Sequence, residues 1–292
     1  MSLMMLSMIF VMTTISMASM HRIVEIFDEV PDINDDNADP ALLPADGSIV
    51  FDNVSFSYAK DENNLNLKNI DLNIKSGETI GVIGGTGSAK STLVQLIPRL
   101  YDVTDGRILV GGHDVRDYKI DNLRNEVAMV LQKNVLFSGT IKDNLRWGDE
   151  NATDEEIIEA CKQAQAHDFV MNFPDGYDTD LGQGGVNVSG GQKQRLCIAR
   201  ALLKKPKIVI LDDSTSAVDT ATDANIRHAF KTELADTTTI IIAQRISSVS
   251  EADRIIVLDD GKIDAFDTHE NLLKNNEIYR EVYNSQQKGA EE

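Results

Sequence analysis

Apolar residues along this chain recur in two ways: short runs and alternations of five to ten residues, and longer stretches at helical spacing. Ile49–Tyr58 alternates apolar and polar positions and predicts a strand ending in an aromatic, and Asn69–Lys75 predicts a second. Ile80, Val82 and Ile83 form a short buried strand. A glycine-rich turn follows, and Lys90-Ser91-Thr92 opens an amphipathic helix that runs towards Leu96. Arg107–Val110 and Glu126–Leu131 are strand-like, whereas Ser138–Phe173 is mostly helical in period. Gln192–Leu203 predicts another helix. Lys207–Asp213 is apolar on both faces up to two carboxylates, the pattern of a parallel strand inside a sheet, and Thr238–Ala243 repeats it. Arg254–Leu258 and Gly261–Phe266 flank Asp259-Asp260-Gly261 as a hairpin, and the polar tail from Asn284 is expected to fray. Strands alternating with helices in this way predict an α/β fold.

The ends of the apolar pattern differ from its middle. Met1–Met20 contains no charged residue and is rich in Met, Ile, Leu and Ser. About 20 such residues just span a hydrocarbon core. A signal peptide fits less well, because no basic segment precedes the apolar run. The helical pattern continues through Ile23, Ile26, Phe27 and Val30 after Arg22, as expected of a helix leaving a membrane into the cytoplasm. A buried amphipathic helix with a Met-rich face is the alternative. From Asp28 to Asp46 the chain carries seven acids, three prolines and no base, the composition of a linker, so the folded domain is expected to begin near Gly47.

Composition narrows the function classes. At 292 residues, 42% hydrophobic and 26% charged, the chain can bury a full core. A net charge of −19 opposes a nucleic-acid surface, and Lys204-Lys205-Pro206-Lys207 reads as a solvated turn before a strand. Cys161 and Cys197 lie far apart with no metal spacing, which points to a reducing compartment; the five histidines show no ligand spacing either.

Two glycine-rich turns carry the candidate chemistry. In Gly84-Gly85-Thr86-Gly87-Ser88-Ala89-Lys90-Ser91-Thr92, backbone N–H groups at a helix start can converge on a phosphate. Lys90 can reach the β- and γ-phosphates, and the Ser91 hydroxyl can ligate Mg²⁺. The strict pattern G-x-x-x-x-G-K-[ST] fails at Ala89. If that position needs a positive φ, its Cβ costs about 1–2 kcal/mol; if it is already helical, the alanine is harmless. Ser189, Gly190 and Gly191 start the Gln192–Leu203 helix as a second anion site, and one nucleotide cannot use both. Asp212, at the C-terminal edge of a parallel strand, suits Mg²⁺ held through water, and Asp213 stands where a general base for an attacking water is wanted. Gln132 and Gln244 end two other strands. Tyr58 can stack on a purine or be an ordinary strand tyrosine.

In this order the pieces resemble the ATP-binding cassette of ABC transporters of the bacterial exporter type, over about Gly47–Tyr283. The carriers are Val188-Ser189-Gly190-Gly191-Gln192, close to the family signature with Val for Leu, the phosphate loop Gly84–Thr92, Tyr58, Gln132 in VLQKNVLFSGTI, Asp212, and Ser216-Ala217-Val218-Asp219. The resemblance implies a P-loop NTPase (RecA-like) core with an antiparallel β subdomain and an inserted helical subdomain at about 134–203. It also implies the end of a last transmembrane helix at 1–27, a linker at 28–46, the nucleotide-binding domain at 47–285 and a polar tail at 286–292. Such a chain is the end of an exporter half, either truncated or begun late.

ATP and Mg²⁺ are the implied ligands. Tyr58 would meet adenine, Gly84–Thr92 the phosphates, and Ser91, Gln132 and Asp212 the metal. Asp213, Gln244 and Gln132 would serve catalysis, and Ser216–Asp219 a dimer contact. Two cassettes would close head to tail over two ATP molecules, so Ser189, Gly190, Gly191 and Gln192 would serve a partner's nucleotide, at the cytoplasmic side of a cell membrane.

This chain departs from the family where hydrolysis is served: Asp213 replaces the usual Glu and Gln244 the usual His, which can share a proton near neutral pH as an amide cannot. The expectation is a site that holds ATP and turns it over slowly, paired with a second half-transporter carrying Glu and His, or else a slow homodimer. A soluble ABC-type ATPase of translation or DNA repair and a non-hydrolysing regulatory subunit are the alternatives.

Overall fold

In a computed structural model, residues 1–213, 220–233 and 236–291 are described. They divide into two units, Met1–Asn34 and Asp35 onward. The first unit is essentially one helix, α1 (Ser2–Asp28), long and apolar enough to cross a membrane, with no buried residue.

The second unit is built on two large sheets, with a two-stranded pair, Gly139–Thr140 and Asp180–Leu181, beside them. Its elements are β1 (Ile49–Phe56), β2 (Leu67–Ile74), β3 (Thr79–Gly84), α2 (Lys90–Gln95), β4 (Asp105–Val110), β5 (His113–Asp114), α3 (Ile120–Glu126) and β6 (Val127–Val130). Then come β7 (Gly139–Thr140), α4 (Ile141–Arg146), α5 (Asp154–Gln163), α6 (His167–Met171), β8 (Asp180–Leu181), α7 (Gly190–Leu203) and β9 (Ile208–Asp212). α8 (Thr220–Glu233), β10 (Thr238–Ile242), β11 (Arg254–Asp259), β12 (Lys262–Asp267), α9 (His269–Asn275) and α10 (Glu277–Glu291) complete the unit. One sheet is antiparallel, in the order β2-β1-β4-β5. The other runs β12-β11-β3-β10-β9-β6 and is parallel except for its β12 edge.

Alternation along the parallel strands builds two cores from one sheet, because successive side chains leave on opposite faces. Ile208 and Ile210 of β9 pack with Ile80 and Val82 of β3 against the antiparallel sheet, through Ile49, Phe51, Ile70 and Ile108. Val209 and Leu211 face the other way, onto Leu145, Ile157, Ile198 and Tyr279 of the helices. Helices α4–α7 fill the stretch expected to be a helical subdomain. Thr140, Thr153 and Ser189 each accept a backbone N–H and form a capping box at the start of α4, α5 and α7.

Two boundaries differ from the sequence reading. The acidic stretch is not a free linker up to Gly47. Asp39 N donates to Asp117 O at 2.8 Å, and the Asp35 carboxylate accepts from Ile120 N at 2.9 Å. Lys207 Nζ donates to Pro44 O at 2.6 Å, so the domain begins at Asp35. These contacts use backbone groups, a carboxylate and a lysine ammonium, which leave no trace in an apolar pattern. The tail expected to fray from Asn284 is the continuation of α10 through Glu291, with Tyr279 buried and Val282 and Tyr283 packed on the helical core.

Candidate active site

Register sets the site. In the parallel sheet Ile242 lies beside both Val82 and Asp212, so β3, β9 and β10 end together, with β6 joining beyond β9. Their C-terminal ends border a cleft of about 500 Å³ lined by Gly84–Gly87, Lys90, Ser91, Gln132, Asp212, Asp213, Gln244 and, from α10, Val282. Ligands of open α/β sheets bind at such an edge. A smaller cavity of about 170 Å³ opens at the opposite ends of the same strands, beside Thr79 and Thr239, and carries none of the candidate groups.

The glycine loop forms the cleft wall. A Cβ at Gly84 would lie 2.2 Å from the Leu258 carbonyl oxygen, so only glycine lets β3 leave β11 there. Lys90 Nζ turns back and donates to Gly84 O and Gly85 O, each at 2.8 Å. Burial pulls the Lys90 ammonium below the ordinary lysine range, opposed by the charges of Asp212 and Asp213. Ala89 is the cap residue of α2 with φ 70° and ψ 27°, so the left-handed alternative holds and the alanine is strained. Ser88 and Thr92 are buried beneath the loop and do not line the cleft.

Tyr58 lies just beyond β1 and also outside that lining. Its hydroxyl sits 3.1 Å from Thr92 Oγ1 and donates to Gln95 Oε1 at 3.2 Å, and its half-exposed ring stands edge-on to Tyr101 at 5.0 Å. The side chain is thus tied to α2 with part of its ring open.

Opposite Lys90, the Ser91 hydroxyl donates to Asp212 Oδ1 at 3.1 Å. Asp212 is 6% exposed, and burial, joined by the charge of Asp213, raises its carboxyl above the ordinary aspartate range despite the Ser91 bond. A hydroxyl and a carboxylate at this separation, with the Gln132 amide in the same cleft, are hard oxygen donors of the kind that Mg²⁺ takes beside phosphate. The residues present fit that ion.

Asp213 has φ 47°, and its N–H donates to Ile242 O at 3.0 Å. Its Oδ2 accepts from Gln132 Nε2 at 3.1 Å and from Gln244 Nε2 at 2.7 Å. Three residues singled out from separate strand ends therefore meet on one carboxylate oxygen.

Ser189, Gly190, Gly191 and Gln192 are not brought into this cleft. Ser189 Oγ accepts from Gln192 N at 3.2 Å, and Gln192 Oε1 accepts from Ser189 N at 2.8 Å, leaving Ser189 and Gly190 exposed at the start of α7. The Ser216–Asp219 stretch lies outside the described residues.

Sequence reasoning missed α10. Val282 lines the cleft, and Gln286 bonds the chain on either side of Arg245. Tyr279, Val282 and Gln286 recur at three- and four-residue spacing, a signal on one helix face that the polar composition around it obscures.

Comparison with known proteins bears on the family and the fold. The ABC transporter family profile matches residues 67–216, just over half of the chain. YgaD of Bacillus subtilis (strain 168), named as a multidrug export ATP-binding/permease protein, is 46% identical over 276 residues, covering 94% of this chain and 47% of YgaD. A Staphylococcus aureus (strain NCTC 8325) protein of the same descriptive name is 45% identical over 264 residues, covering 90% of this chain and 46% of its own length. The solved structure of a bacterial Atm1-family ABC exporter with ATP bound superposes with a TM-score of 0.85 at 37% identity, over 94% of this chain and 47% of that one. The chain thus spans about half the length of the curated relatives it matches. It belongs to the ABC transporter family and has the nucleotide-binding fold of that family's exporters.

Proposed function

We propose that this chain is the ATP-binding and ATP-hydrolysing part of an ABC exporter, that it works with a second half-transporter, and that its own site turns ATP over slowly. The observation that carries the reading is the meeting of Lys90, the Ser91–Asp212 pair and the Asp213–Gln244 pair in one cleft. Loop N–H groups and Lys90 would hold the β- and γ-phosphates, with the ammonium leaving the Gly84 and Gly85 carbonyls as it does so. Ser91 and Asp212, with Gln132, would hold Mg²⁺, which when bound neutralises phosphate charge. Tyr58 would offer its open ring to the adenine.

Binding groups are therefore in place, and the departures concentrate where water must be activated. Asp213 is one methylene shorter than Glu, and its Oδ2 already accepts two amide N–H groups. Gln244 donates a hydrogen bond and cannot exchange a proton. A positioned base contributes typically about 10²–10⁴-fold to rate, so weakening it slows hydrolysis without removing affinity. The exposed Ser189-Gly190 end of α7 would complete a partner's site, where Glu and His are expected.

The membrane assignment rests on α1 and on the permease relatives, with the nucleotide-binding unit on the cytoplasmic face and closure of two cassettes driving export. A soluble ATPase of translation or DNA repair is disfavoured by the apolar α1 and the net charge of −19.

The test is equilibrium binding of ATP with Mg²⁺ to the purified full chain, followed by ATPase assay with and without a second half-transporter that carries Glu and His at the two departing positions. Saturable binding lost in Lys90→Ala, with slow turnover that rises on adding the partner, supports the proposal. Failure to retain ATP and Mg²⁺ at all overturns it.

A further inference from the structure

We propose that Gln286, on the C-terminal helix, is a positioning residue that aims Gln244 at Asp213. Its Nε2 donates to the Gln244 carbonyl at 2.8 Å, and its Oε1 accepts from the Ile246 N–H at 2.8 Å. One primary amide thus satisfies two backbone groups flanking Arg245, as a neighbouring strand would. Gln244 then donates to Asp213 Oδ2 at 2.7 Å, so α10, the loop after β10 and the cleft floor are joined end to end.

The clamp matters because, among the described residues, few backbone hydrogen bonds hold this turn, although Ala243 and Ile246 are buried in the helical core and Arg227 Nη1 donates to Ser247 O at 3.2 Å. β10 ends at Ile242, and Ala243 N makes a long 3.3 Å bond to Val82 O. The next local bond begins at Ser248 N, which donates to Arg245 O at 3.1 Å. Between them the direction of the Gln244 side chain depends on its backbone torsions, and those are what the Gln286 amide fixes.

Gln286 itself has a firm base. Tyr279, in the first turn of α10, is fully buried, its hydroxyl meets His269 Nδ1 at 2.7 Å, and its N–H donates to Asn276 Oδ1 at 2.8 Å. Val282, four residues before Gln286, lines the cleft. A displacement of α10 is therefore felt at Gln244 without passing through the phosphate loop.

The role rests on the proposed ATPase reading, while the clamp itself does not, and the experiment separates them. Full chain in lipid nanodiscs is compared with Gln286→Ala and Gln286→Glu by hydrogen exchange over residues 243–248, by binding of a fluorescent ATP analogue with Mg²⁺, and by single-turnover hydrolysis. In Gln286→Ala, exchange across this segment is expected to rise about tenfold and hydrolysis to fall about tenfold, with nucleotide affinity within about twofold of the parent. Gln286→Glu keeps the acceptor for Ile246 N and loses the donor, so it is expected to lie between. Unchanged exchange in Gln286→Ala overturns the clamp. Raised exchange with unchanged hydrolysis overturns the positioning role. A parent chain that binds no ATP would sink the proposed function and leave the exchange comparison to decide the clamp.

Discussion

Gln244 Nε2 donates to Asp213 Oδ2 at 2.7 Å, which brings the residues following two adjacent parallel strands into direct contact. Both are the residues at which the proposed function has this chain depart from the exporter pattern, so on that reading the two departures form one local unit. A change at either alters the environment of the other, and neighbours that share a hydrogen bond do not act additively. The same carboxylate oxygen takes the Gln132 amide at 3.1 Å, so three loops converge on it.

Ala89→Gly is expected to stabilise the domain. The residue sits at φ 70°, where a Cβ costs about 1–2 kcal/mol and glycine is free, while glycine's larger unfolded-state entropy returns part of that gain. The net expectation is about 1 kcal/mol, or a rise of about 2–4 °C in melting temperature for a chain of this size. Calorimetry of the two proteins checks it; a lower melting temperature contradicts the strain.

Mg²⁺-dependent ATP binding should weaken on acidification sooner than an ordinary aspartate would require. Burial and the neighbouring Asp213 raise the Asp212 carboxyl above its usual value of 3.8, and the protonated form is a poor metal ligand. For the ligand-free fold the sign is opposite. A raised carboxyl adds stability below its unfolded value that is lost as pH rises through the folded one, so Asp212→Asn should stabilise the ligand-free chain at pH 7 while abolishing Mg²⁺ dependence. Parallel melting and ATP titrations across pH, with and without Mg²⁺, read both effects.

Arg254 and Glu78 make a two-pronged ion pair at the far end of β3 and β11, with Nη2–Oε2 at 2.6 Å and the guanidinium 4.0 Å from the centre of the Phe266 ring. Burial pushes Glu78 up, but the Arg254 and Lys75 hydrogen bonds outweigh it and hold the carboxyl below its usual 4.5. Its contribution is present above that value and is lost as pH falls through the folded one. Arg254→Ala should cost about 1–3 kcal/mol in urea unfolding at pH 7 and less at pH 3. An equal cost at both pH values would assign the effect to packing on Phe266.

What could be read from the chain follows from how each feature is encoded. β9 declared itself through Ile208-Val209-Ile210-Leu211 because a strand covered on both faces has no polar position to confuse its period, and Asp212 and Asp213 followed from its end. The loop Gly84–Thr92 and the start of α7 were legible because glycine, serine and a helix start are local features. The docking of Asp35–Pro44 was not, since it relies on backbone groups, the Asp35 carboxylate and the Lys207 ammonium rather than apolar spacing. The conformation of Ala89 is open to two alternatives from the sequence, because a side chain does not reveal its own φ. Gln286 was hidden for a third reason: a glutamine's partners, here Gln244 and Ile246 some 40 residues away, are set by the fold alone.

The most direct test is steady-state ATP hydrolysis by the purified chain at saturating ATP and Mg²⁺, set beside Asp213→Glu combined with Gln244→His. Slow hydrolysis by the parent despite full occupancy, and a double variant about 10²-fold faster, is the predicted result. A parent rate matching the double variant and abolished by Lys90→Ala would contradict the account.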